Sequence, residues 1–167
     1  MSLSIETDIK KIELNAKLKE DENWEFRAYL KGQDSGEIDK IVHRLNDEVS
    51  SQIDCTMCGN CCTKIPPGIT EKDMERLAAR LNITPDEVKQ EYTESFDNEL
   101  SFKSLPCCFL KDKKCTIYED RPDDCRSYPH LHKKHFVNRL IGVIHNYSIC
   151  PIVYNIVERL KSEIQYK

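Results

Sequence analysis

The chain has no long apolar run, no glycine-rich loop and no excess of positive charge. Nothing approaches the roughly 20 consecutive apolar residues of a transmembrane helix, so no membrane span is expected. The opening stretch, MSLSIETDIKKIELNAKLKE, alternates charges without an apolar centre. That pattern excludes a secretory signal and makes the cytoplasm the expected location. Glycine accounts for only 5 of 167 residues, and none of them builds a nucleotide-binding loop. A formal charge of -4 and a pI of about 5.8 speak against a general nucleic-acid binder. Only the stretch from Arg126 to Arg139 is locally basic. Hydrophobic residues, cysteine included, make up 39% of the chain against 32% charged. That is a lean core for this length, so a bound metal is expected to support folding as well as function.

Cysteine is what the chain has in plenty. Cys55, Cys58, Cys61 and Cys62 fall within eight residues, in DCTMCGNCCTK, and five more follow downstream. A C-x2-C pair lets one tight turn aim two sulfurs at a single ion, with backbone amides free to hydrogen-bond the thiolates. Gly59, directly after Cys58, suits such a turn because it tolerates positive φ and a close backbone approach. Neighbouring side chains diverge, so the Cys61–Cys62 doublet fits two metals, or one metal and one other task. The alternatives are a disulfide knot or a run of buried small residues. A reducing cytosol and an odd total of 9 cysteines weigh against disulfides. The density of C-x2-C-x2-CC points to metal ligation.

Around this stretch the expected fold is mainly α with a small β-hairpin (α+β). A single compact, metal-stapled domain over residues 51–167 carries an N-terminal helical arm over residues 1–50. In the arm, Ile38, Ile41, Val42, Leu45 and Val49 recur at helical spacing, with Ser35 or Gly36 as the cap. Trp24, Phe26, Tyr29 and Leu30 indicate a shorter helix before it, ended near Gly32. His43 lies on the arm and receives no role. After the cluster, Ile65-Pro66-Pro67-Gly68 is a rigid exit loop. Thr70 with Asp73 opens one helix, and Thr84-Pro85 with Glu87 opens a second. Both look like scaffold.

Chemistry returns downstream. Cys107-Cys108-Phe109-Leu110 and Cys115-Thr116-Ile117-Tyr118 flank a polar turn, which predicts a hairpin. Pairing Leu110 with Cys115 puts Cys108 on the Cys115 face, and a slip of one residue puts Cys107 there. One of the two is expected as a ligand and the other as a packed thiol. Pro122 and Pro129 bracket one helical turn around Cys125, with Arg121 and Arg126 close enough to favour its thiolate. Pairing with Asp120, Asp123 and Asp124 is the simpler role for these arginines. His132 and His135 read as loop residues, whereas His130, near Cys125, stays open as a ligand. Cys150, ahead of Pro151, reads as the N-cap of a last helix, where the helix dipole favours a thiolate.

Together, C-x2-C-G-x-CC over residues 55–62, PCxFL over residues 106–110, CxIYxxRPxxCRxYP over residues 115–129 and Cys150-Pro151 form an ordered pattern. This pattern closely resembles the bacterial cysteine-cluster proteins called YkgJ-like (CxxCxxCC), a zinc- or iron-chelating domain, over about residues 51–165. The resemblance implies Cys55, Cys58, Cys61, Cys62, Cys107, Cys115, Cys125 and Cys150 as the metal ligands, with Cys108 spare. A relative with the same cysteine pattern is the flagellin lysine N-methylase, but this chain is too short for that enzyme's additional regions.

Eight such cysteines divide into two four-sulfur sites, or one cluster plus a second site. Zinc takes four thiolates, or three thiolates and an imidazole such as that of His130. A [4Fe–4S] cluster would take Cys55, Cys58 and Cys61 with Cys150-Pro151 as a remote fourth ligand, a ferredoxin-like combination. The balance leans slightly to iron–sulfur over Zn2+. Three roles follow: a metal-binding protein in electron transfer or metal handling, a small redox or group-transfer enzyme using the cluster, or a structural zinc module that contacts a protein partner. For the enzyme, His130, Arg126 and Tyr128 are the candidate working groups. Neither nucleic acid nor membrane is expected as a partner, and no reaction is assigned.

Overall fold

The computed structural model describes residues 4–166, which are mainly helical with two small antiparallel hairpins. Internal contacts divide the chain into two compact units. The first joins residues 1–54 to residues 129–167, and the second is Cys55–Tyr128. The last helix therefore groups with the N-terminal helices. No helix among the described residues is long and apolar enough to cross a membrane.

The first unit contains α1 (Ile9–Leu18), α2 (Glu20–Leu30), α3 (Ser35–Ser50), α8 (Leu140–Tyr147) and α9 (Pro151–Glu163). The periodicity of α3 buries Ile38, Val42, Leu45 and Val49 as its spacing predicts. Its cap is Asp34 rather than Ser35 or Gly36, because the Asp34 carboxylate accepts the Glu37 amide at 2.9 Å. Helix α9 begins as expected, with Cys150 at the N-cap and Pro151 in the first turn. It is buried far beyond one face, and even Asn155 and Lys161 are inside. The Lys161 ammonium is accommodated because it donates to Glu22 and Asn23, both at 2.6 Å, and to Glu158. His130, His132 and His135 lie on the turn before α8, and the Asp39 carboxylate accepts the amides of His135 and Phe136.

The second unit holds α4 (Cys61–Lys64), α5 (Glu71–Leu81), α6 (Pro85–Tyr92), β1 (Thr93–Phe96), β2 (Glu99–Phe102), β3 (Leu110–Lys111), β4 (Lys114–Cys115) and α7 (Asp123–Ser127). Both expected capping boxes are present, Thr70 with Asp73 on α5 and Thr84 with Glu87 on α6. In the expected hairpin, Leu110 pairs with Cys115 and Asp112 and Lys113 turn at positive φ. A further hairpin, β1–β2, turns in the same way at Asp97 and Asn98. Met74, Leu77, Val88, Phe102, Phe109 and Ile117 form the unit's core, and Cys107 and Cys115 pack against it.

One buried carboxylate fastens this core to the segment that carries Cys125. Asp73 is 1% exposed. It accepts the Thr70 amide and hydroxyl, the Asp123 amide at 3.0 Å and the Arg76 guanidinium at 2.5 Å. Arg76 also donates to the carbonyl of Arg121 and the carboxylate of Asp123. Burial opposes ionisation of Asp73, but these donors outweigh it and hold its pKa below the ordinary 3.8. Its stabilisation is therefore present above that value and lost as pH falls through the depressed one. Asp73→Ala is expected to cost about 2–4 kcal/mol in urea unfolding at neutral pH, with the deficit shrinking in acid. A wild-type midpoint in the variant would rule out this fastening.

Candidate metal centre

A cavity of about 240 Å³ lies within the second unit, lined by Cys55, Cys61, Cys62, Cys107, Cys115 and Cys125. The local backbone explains their convergence. Cys55–Met57 forms a single 3-10 turn, and the Cys58 amide closes it by donating to the Cys55 carbonyl at 3.2 Å. Gly59 then turns at φ 63° against the β3–β4 hairpin. A Cβ there would stand 2.7 Å from the Lys113 carbonyl oxygen, so only glycine fits. Helix α4 follows and presents Cys61 and Cys62. The Cys107 amide donates to the Cys62 carbonyl at 2.8 Å, clamping the two stretches together through the main chain.

The hairpin adopts the Leu110–Cys115 register, yet Cys107 lines the cavity and Cys108 is exposed. Strand alternation would have put Cys108 beside Cys115. The reason is that β3 is only two residues long, and residues 107–110 form a turn in which the Leu110 amide donates to the Cys107 carbonyl at 2.9 Å. The alternation rule stops where the strand stops. Cys108 thus does not take the Cys115-facing place that this register would give it.

Electrostatics link the thiols. A hydrogen bond from Cys61 draws Cys62 down to about 7 despite its burial. Burial pushes Cys125 up to about 12, and the charges of Cys62, Asp124 and Cys115 add to the effect. Arg121 opposes it only weakly. Cys115 is raised by burial and by Cys62. The hydrogen bond between Cys107 and Cys108 raises the first and lowers the second. The expectation that Arg121 and Arg126 stand near enough to favour a Cys125 thiolate is therefore corrected: burial outweighs Arg121. Arg121 stacks on Tyr118 at 3.7 Å, and Arg126 reaches Asp123 and the carbonyl of Arg121.

Cys58 is half-buried and does not line the cavity. Cys150 and His130 belong to the first unit, where Cys150 is buried and the His130 carbonyl accepts Arg139 at 2.7 Å. Arg126 and Tyr128 do line the cavity, together with Asp124. Among the described residues, no three Cys, His, Asp or Glu side chains already stand as a ligand set. The chemistry of the cavity thiols fits zinc or iron, since soft thiolates select these metals over magnesium or calcium. The positioning residues Asp73 and Arg76 were not singled out from sequence; an Asp at the third helical position reads as a cap and nothing more.

Gly59→Ala is expected to destabilise the chain by about 1–3 kcal/mol, because the turn tolerates neither the Cβ nor the change of φ. Equilibrium unfolding measures this, and an unchanged midpoint would show that the loop does not lie against the hairpin.

A family model called CxxCxxCC, described as "Putative zinc- or iron-chelating domain", matches residues 54–141. An uncharacterized protein of Methanocaldococcus jannaschii, MJ0661, is 41% identical over 81 residues, which are 46% of this chain and 43% of that protein. The match thus spans less than half the length of that relative. No solved structure matches the chain. With more than half of its residues covered by the family model, the chain belongs to the CxxCxxCC family.

Proposed function

We propose that the protein binds an iron–sulfur cluster or zinc in the cysteine-lined cavity and serves electron transfer or metal handling. The observation that carries this reading is the convergence of six cysteines, from four separate stretches of chain, on one cavity. A lone zinc ion sits about 2.3 Å from its four sulfurs and leaves no void. The cavity of about 240 Å³ is several times the roughly 30 Å³ share of one water. That room favours a [4Fe–4S] cluster, as does the C-x2-C-x2-C run of Cys55, Cys58 and Cys61. Such a cluster, when bound, supplies one-electron chemistry. The residues of this chain supply the sulfurs, the backbone clamp and the apolar wall of Phe102, Phe109 and Ile117 that limits water.

The same space supports a second reading, a small redox or group-transfer enzyme with a substrate beside the metal. Arg126 and Tyr128 on the cavity wall are the groups that would contact it. A purely structural zinc module that contacts a protein partner has no need of such a cavity.

Replacement of Cys62, Cys58 or Cys125 by serine is expected to lose most of the bound metal and to lower the thermal midpoint. Cys108→Ser is expected to keep both. Metal content by elemental analysis and melting by circular dichroism test this. Full metal retention in the Cys62→Ser and Cys125→Ser proteins would contradict the assignment.

A further inference from the structure

Asp120, Asp123 and Asp124 stand beside Arg121 in the sequence, yet the structure engages them elsewhere. Asp120 pairs with Arg80 at 3.7 Å, and Asp123 with Arg76 at 3.0 Å and Arg126 at 3.8 Å. Asp124 accepts the Gly68 amide at 3.0 Å. Among the described residues Arg121 forms no ion pair; it donates to the Tyr118 carbonyl and lies over the Tyr118 ring at 3.7 Å. Its main chain is held too, because Arg76 and Arg126 both donate to its carbonyl, at 2.9 and 3.2 Å. Two arginines thus fix a third whose own charge meets no carboxylate. This guanidinium belongs to a half-buried residue on the wall of the cysteine cavity.

The rest of that wall gives the site its character. Besides the cysteines, Phe102, Phe109, Leu110, Ile117 and Pro122 line it with hydrocarbon. An apolar cavity with a few fixed polar groups is the usual form of a small-molecule site. The other charged residues on the wall have other work. Arg126 donates to the carbonyls of Glu119 and Arg121, and Lys113 is exposed with its carbonyl against Gly59. A guanidinium held by one ring and one carbonyl keeps further N–H donors, in the fork that matches a carboxylate. A fork set in hydrocarbon suits an anion with an apolar body better than one that is polar all round. Resting on the reading above in which a substrate lies beside the metal, we infer that the cavity binds a small organic carboxylate. Its anionic end meets Arg121, and its hydrocarbon body meets Phe102, Phe109 and Ile117. The volume of about 240 Å³ lies below the roughly 300–1,000 Å³ of drug-sized sites, so the acid is small. Binding is ionic and reversible, and no bond is made or broken.

Ligand-observed NMR on the full chain tests the site, with protein purified without oxygen and its metal content measured. The probes are monocarboxylates from acetate through isovalerate and benzoate to phenylacetate, with the matching primary amides and inorganic phosphate as controls. The expected result is that a branched or aromatic acid binds with a Kd of about 1 mM or tighter, while its amide does not. Arg121→Gln is expected to weaken that binding at least about tenfold, and Arg121→Lys by less. Intermolecular NOEs from the acid to the ring protons of Phe102 and Phe109 locate it without any variant, so misfolding of a variant does not blur the outcome. Absence of binding by every acid in a metal-loaded protein overturns the carboxylate site and leaves metal binding standing. Binding that the amide shares, that phosphate reproduces, or that Arg121→Gln leaves unchanged overturns it as well. A protein without metal that still binds an acid through Arg121 keeps this site and removes the metal from beside it.

Discussion

Thiols are poor acids in a dry environment, and three of the cavity cysteines lie where ionisation is costly. Burial raises Cys115 and takes Cys125 up to about 12, while Cys107 is raised through its hydrogen bond to Cys108 and by burial. Each also feels the sulfur of Cys62, so the charge on one discourages the next. A cation reverses these signs at once. In its presence the neighbouring sulfurs share one countercharge, and what was mutual repulsion becomes coordination. Cys107, Cys115 and Cys125 are thus costly to ionise without a neighbouring positive charge.

The rest of the second unit can be understood as the frame that brings these cysteines around one cavity. Gly59 lets the first cysteine loop lie against the β3–β4 turn, and the Cys107–Cys62 main-chain bond joins the doublet to the hairpin. Asp73 and Arg76 hold the Cys125 turn to α5. Phe102 and Phe109, 5.3 Å apart, form an aromatic floor, and Tyr92 stacks on Phe109 at 5.2 Å. None of these contacts involves sulfur, so the frame has a stability of its own to which a bound ion adds.

What the sequence made legible follows from how local each signal is. Helix starts at Thr70 and Thr84 were readable because a capping box is complete within four residues. The mainly helical, α+β character was readable from the periodicity of α3 and the polar turn between β3 and β4. The β1–β2 hairpin was missed because Glu94, Ser95, Asn98 and Glu99 lack the alternation of a half-buried strand, and only the Asp97-Asn98 turn marks it. The placement of Cys107 and Cys108 escaped the register argument because a two-residue strand carries no alternation back to them. Asp73 was legible as a cap but not as the anchor of α7, since its bond to the Asp123 amide spans 50 residues of sequence. Family resemblance identified Cys107 as the recurring thiol of the pair, and Cys107 is the one that lines the cavity.

Metal and acid-labile sulfide analysis tests the central claim most directly, combined with a visible absorption spectrum on protein purified without oxygen or added metal. A metal-loaded cysteine site predicts iron with sulfide and a brown colour, or zinc in a colourless protein. A folded protein that contains neither metal, and takes up neither when offered, would contradict it and leave the cysteines as a set of redox-active thiols.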